Sequence, residues 1–155
     1  MPESFAFDSP EYLAFVEGFA ARLRKGALCL VFSGPTARQR GAVLAELSDA
    51  ARLPLHVVPL ETRLADRTAV MLASLREDFD AAGGGPTILC FRHADRFIAQ
   101  AREVPGAAGL PPVSYIFERA RRFRGAVVLS LDDASQEALV GGRGDVRITF
   151  SGDAV

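Results

Sequence analysis

A chain of 155 residues fits one domain and can bury roughly 68–70% of its unfolded surface without staples. Hydrophobic residues at 49% and charged residues at 24% exclude a disordered chain, and the longest apolar runs, Ala27 to Phe32 and Ala126 to Leu129, fall far short of the roughly 20 residues that cross a bilayer. A net charge of −1 argues against bulk electrostatic binding of nucleic acid or an anionic membrane, and two cysteines without a signal-like start point to the cytoplasm. Lys25 is the sole lysine among 18 basic residues, so any chemistry that needs a lysine must use it.

After a short polar lead, Pro10 to Arg24 reads as an amphipathic helix. Ser9 stands at the N-cap, Pro10 at the first helical position, and Tyr12, Phe15, Val16, Phe19 and Leu23 follow at helical spacing. Ala27 to Phe32 is a continuous apolar run suited to a strand buried on both faces. The turn Ser33-Gly34-Pro35-Thr36 leads to a helix over about Ala37 to Arg52. Leu55 to Leu60 reads as a second strand whose Pro59 suits a strand end or sheet edge. A helix over Thr68 to Ala82 ends at three glycines, Thr87 to Phe91 is a third strand, and Ala94 to Arg102 a short helix. Val104 to Pro112 reads as a loop, Val113 to Arg124 as a helix and Ala126 to Leu131 as a fourth strand. Ser135 to Val140 is a short helix and Val146 to Phe150 a fifth strand.

Strands separated by helices predict a parallel sheet with helices on both faces, and so a single α/β domain over 1–155. Residues 1–25 form its leading segment and helix, and 27–150 its core. In such sheets the ligand site lies beyond the carboxyl ends of the strands, which directs attention to the turns after Phe32, Phe91 and Leu131.

The first turn has the strand-to-helix setting of a phosphate loop. Such a loop needs the pattern G-x-x-x-x-G-K-[ST], with glycines for close backbone approach, a lysine for the outer phosphates and a hydroxyl for Mg²⁺. The chain offers Gly34-Pro35-Thr36-Ala37-Arg38-Gln39-Arg40-Gly41. Gln39 stands where the second glycine belongs, Arg40 where the lysine belongs, and Gly41 where the hydroxyl belongs. A Cβ at Gln39 obstructs the phosphates, and the planar head of Arg40 does not replace an ammonium point charge. Lys25 precedes the strand and cannot take its place.

Taken together, the segments resemble the nucleotide-binding core of AAA+ ATPases. Cys29-Leu30-Val31-Phe32-Ser33-Gly34-Pro35 resembles the first strand and the start of Walker A. Ile88-Leu89-Cys90-Phe91-Arg92-His93-Ala94-Asp95 resembles the Walker B strand, and Phe123 to Asp132 resembles the run that ends at sensor 1. Ala138-Leu139 and Arg143 resemble the segment that carries arginine fingers. The resemblance covers roughly Ala27 to Phe150 and implies a three-layer P-loop-NTPase-like domain with a five-stranded parallel sheet in the order 5-1-4-3-2.

It also implies a degenerate site. Arg92 and His93 occupy the places of the Mg²⁺-orienting Asp and the water-activating Glu. Asp95 matches only the structural end of that motif, and Asp132 at sensor 1 would repel a triphosphate. The segment Glu61 to Thr68 lacks the aromatic-apolar-glycine pore loop. The sequence ends at Val155 without the helical lid that the resemblance would place after the core. No catalytic residue, metal ligand or cofactor is expected, and neither is ATP hydrolysis. Arg143 is a candidate trans-acting arginine, although Val140 stands where the second of the usual pair would be.

Several smaller features complete the reading. Arg92, ending the third strand, could pair with Asp132 at the end of the fourth and close the old pocket, with Arg40 as a third member. His56, His93, Cys29 and Cys90 have no metal-ligand spacing. Arg119, Arg121, Arg122 and Arg124 form a dense positive run that serves either helix-dipole complementarity on a solvated face or the docking of an acidic partner or nucleic acid. The expected function is that of an assembly, adaptor or regulatory protein whose partner is an active AAA+ relative or a second copy, with no membrane or nucleic acid. Two alternatives stand beside it. One is a switch that binds ATP or ADP without hydrolysis. The other is an enzyme of unrelated chemistry using the cluster Arg40, Arg92, His93 and Asp132.

Overall fold

A computed structural model describes residues 3–65, 67–101, 112–133 and 143–151. Strand β1 (Glu3–Ala6) leads into helix α1 (Pro10–Lys25), which the Ser9 side chain caps by accepting from Tyr12 N at 3.1 Å. The chain continues through β2 (Leu28–Ser33), α2 (Ala37–Ala51), β3 (Leu55–Pro59), a 3-10 turn (Leu60–Arg63) and α3 (Thr68–Ala82). It is completed by β4 (Thr87–Arg92), α4 (Ala94–Ala101), α5 (Pro112–Ala120), β5 (Gly125–Leu131) and β6 (Val146–Thr149). Among the described residues no helix is long and apolar enough to cross a membrane.

All the strands lie parallel in a single six-stranded sheet of order β1-β6-β2-β5-β4-β3. The expected count of five is corrected to six and the full order changes with it, while the five expected strands run β6-β2-β5-β4-β3, the relative order expected of them. The additional strand is Glu3–Ala6, where only a polar lead was expected, and it adds to the sheet edge beside β6 with Phe5 opposite Ile148. Element boundaries also move. The helix expected to reach Arg124 stops at Ala120, and the second strand gives way at Leu60 to the 3-10 turn. The expected helix Ser135–Val140 and the expected loop Val104–Pro112 lie outside the described residues, save for Pro112, which opens α5.

Strict alternation along the central strands divides the core between two faces. Leu28, Leu30 and Phe32 of β2 join Ile88, Ala126 and Val128 against Phe15 and Phe19 of α1 and Val43 and Leu47 of α2. Cys29 and Val31 join Leu89, Phe91, Val127 and Leu129 against Met71, Leu75 and Phe79 of α3, Phe97 of α4 and Ile116 of α5. Helices therefore cover both faces of the sheet in a three-layer arrangement, and the apolar runs of β2 and β5 reflect burial on both sides.

One glycine is required by the close approach of two strands. Gly125 opens β5 opposite Thr87 with φ +122°, and a Cβ there would lie 2.0 Å from the Thr87 carbonyl oxygen. A second double contact ties β6 to β2: Asp145 N donates to Cys29 O, and Cys29 N donates to the Asp145 carboxylate, both at 2.8 Å.

Candidate functional site

Parallel pairing brings the turns after β2, β4 and β5 to one end of the sheet, as the alternation of strands and helices required. Only Gly34, Pro35 and Thr36 separate β2 from α2, so the connection is tight. The reason is a helix-start signal at Thr36 and Gln39, which has the spacing of a capping box. Thr36 Oγ1 accepts from Gln39 N at 3.1 Å and donates to Gln39 Oε1 at 3.2 Å. Arg40 N already donates to Thr36 O, and Gly34 N donates to Leu131 O. The amides of Gly34, Gln39 and Arg40, which a phosphate loop would turn toward an anion, are thus engaged within the chain. Gly41 lies inside α2, and a Cβ there would meet nothing within 4 Å, so no close approach needs that glycine.

The centre of this end of the sheet is a guanidinium. Helical spacing puts Arg40 on the same face of α2 as Val43, Leu44 and Leu47, and only 3% of the residue is exposed. Its head is held on three sides: Nε donates to Ser130 Oγ at 2.8 Å, Nη1 to Gly34 O at 3.2 Å and Nη2 to Asp132 Oδ1 at 2.6 Å. A buried arginine is tolerable only when its polar atoms have partners and its charge is paired; here each of the three nitrogens donates once and Asp132 carries the opposite charge.

Asp132 joins the two catalytic-looking positions. Its second oxygen, Oδ2, lies 2.6 Å from His93 Nδ1 and 3.6 Å from Arg96 Nε. The other ring nitrogen, His93 Nε2, lies 3.7 Å from Glu61 Oε1. His93 adopts φ +58° in the turn after β4, a left-handed backbone that aims the ring across the strand ends, while its carbonyl accepts from Phe97 N in α4. Asp95, at the start of α4, accepts from Asp133 N at 3.2 Å through Oδ2; its Oδ1 and Ser33 Oγ are buried without a partner.

Arg92 does not pair with Asp132, contrary to the expectation. Its side chain is exposed and enters none of the ion pairs among the described residues, because Arg40, reaching in from α2, already lies between Ser130 and Asp132. The structure thus brings together Arg40, His93 and Asp132, leaves Arg92 outside, and sets Asp95 beside Asp133. Sequence reasoning missed Ser130, Glu61 and Arg96. A serine inside the otherwise apolar Ala126 to Leu131 was the readable signal for Ser130, as was T-x-x-Q for the helix start.

Arg143 is folded back on α5. Its Nη1 donates to Ser114 Oγ at 3.1 Å, and its guanidinium lies 5.4 Å from the Phe117 ring centroid. The remaining members of the resembling segment, Ala138, Leu139 and Val140, lie outside the described residues.

The cysteines are not nucleophiles of this site. Burial pushes the Cys29 thiol up to about 12, with the Asp145 carboxylate adding to the effect. Burial likewise pushes Cys90 up to about 12, against the opposing pull of Arg92 and Arg40. Among the described residues no group of three or more His, Cys, Asp or Glu could hold a metal ion.

A scan against protein-family models gives no match, and a search of the curated proteins gives no significant match. The functional reading therefore rests on the chemistry of the site.

Proposed function

We propose that this chain is a catalytically inactive AAA+-like domain that serves as an assembly, adaptor or regulatory protein through protein–protein contacts, with an active relative or a second copy as partner. The observation that carries this reading is Arg40, buried at the phosphate-loop lysine position and bonded to Ser130, Gly34 and Asp132. A guanidinium so committed is not available to outer phosphates, and the amides of Gly34, Gln39 and Arg40 already have acceptors. The carboxylate at the sensor position is spent on Arg40 and His93. Arg92 at the Mg²⁺-orienting position repels a cation.

One observation favours an enzyme of other chemistry: the 2.6 Å contact between His93 Nδ1 and Asp132 would suit a proton relay through Nε2. Against it, Asp132 is shared with Arg40, and Nε2 faces Glu61 rather than a hydroxyl or thiol.

Thermal unfolding with millimolar ATP or ADP, each with and without Mg²⁺, tests the main reading. A ligand at about 100 times its dissociation constant adds about 2.7 kcal/mol, or roughly 5–10 °C in a domain of this size. The expected result is no shift in a cooperatively folded protein. A clear shift would overturn the reading in favour of a nucleotide-responsive switch.

A further inference from the structure

The opposite end of the sheet carries a cleft of about 570 Å³ between the carboxyl ends of α1 and α2 and the start of β5. At about 3.3 Å per residue, the six residues of β2 set it some 20 Å from Arg40. Leu23, Leu53 and Phe123 supply apolar lining, and Arg24, Lys25 and Arg124 are exposed around it. No lining residue is acidic, and none of these three cations has an ion pair among the described residues. A second hollow of about 310 Å³ shares Phe123 and Arg124 and adds Arg122 and Arg119; its one acid, Asp80, is paired with Arg119. In a chain of net charge −1, this end concentrates unpaired positive charge.

We infer that this cleft is a docking site for an acidic segment of another protein that presents an apolar side chain between its carboxylates. The inference deepens the protein-contact reading and rests on it. Charge complementarity selects the acidic groups, and the apolar lining selects the anchor. Phe123 is only 8% exposed, so no ring is offered for stacking a base. The recessed ring and the net charge of −1 favour a polypeptide over a nucleic acid.

The test is an amide-resolved NMR titration of the ¹⁵N-labelled full chain with a short peptide alternating Glu and Leu. Gln/Leu and Glu/Ala peptides and a single-stranded oligonucleotide of equal charge serve as comparisons. Shifts are expected at Leu23 to Ala27, Leu53 and Phe123 to Gly125, with affinity at least tenfold weaker for both comparison peptides. Arg24→Glu with Arg124→Glu weakens the Glu/Leu peptide at least tenfold, and Lys25→Glu provides a second, independent variant at an exposed position. No shifts at millimolar peptide, equal binding of the Gln/Leu peptide, or tighter binding of the oligonucleotide would each overturn the inference. ATP added to the same sample reports separately: shifts confined to Gly34 to Gly41 would unseat the inactive-site reading and leave the cleft result intact.

Discussion

The two ends of the parallel sheet handle positive charge in opposite ways. At the carboxyl end, Arg40 is drawn inside and each nitrogen of its head has a partner, in Ser130, Gly34 and Asp132. At the amino end, Arg24, Lys25 and Arg124 remain in solvent around an open cleft with no acid among its lining residues. Charge at the first end holds the molecule together. Charge at the second is left over from folding and is free to be used in binding, which is why the proposed site of action lies away from the strand ends where an α/β domain ordinarily holds its ligand.

This contrast can be broken by substitution. The largest effect is expected at Gly125, because the amino end is fixed by backbone approach rather than by charge. Gly125→Ala drives a Cβ to 2.0 Å from Thr87 O at a positive φ, and urea denaturation should show a loss of about 4 kcal/mol or more. Next comes Arg40→Met, which removes a buried charge and leaves Ser130 and Asp132 short of partners. A loss of about 3 kcal/mol is expected, since His93 and Arg96 still face Asp132, and a midpoint lowered by about 6–12 °C should accompany it. A change under about 1 kcal/mol would show that the guanidinium is not structural. The smallest effect belongs to Arg124→Glu, an exposed side chain with no ion pair among the described residues, where stability should stay within about 0.5 kcal/mol. Comparable losses for Arg40→Met and Arg124→Glu would erase the distinction between the two ends.

Much of this architecture is legible in the residues. Ser9 and Pro10 announce α1, the unbroken apolar run through Val31 announces a strand buried on both faces, and the alternation of strands and helices announces a parallel sheet. Strand β1 is not legible, because Glu3-Ser4-Phe5-Ala6 is short and mostly exposed, and its pairing partner lies at the far end of the chain. At the candidate site, the residue types at the strand ends mark the location. Which arginine would be buried could not be read from them. Arg92 and Arg40 both approach Asp132 in sequence logic; the outcome depends on α2 entering after only three residues, which the Thr36 and Gln39 spacing sets. The cleft at the other end is illegible for a different reason, since it joins four segments, around Arg24, Leu53, Pro86 and Arg124, that only the fold makes neighbours.

The position of β6 between β1 and β2 has a consequence for how the chain is made. Synthesis produces Glu3–Ala6 long before Val146–Thr149, yet that segment has no neighbour to pair with until the later one has emerged. The inner strands β2, β5, β4 and β3 can assemble earlier, with the outer side of β2 left open like an unfinished seam. Pairings so distant along the chain are slow to close. A chain truncated before residue 146 would therefore have one side of β2 open and a stray leading segment, both prone to pairing with other chains.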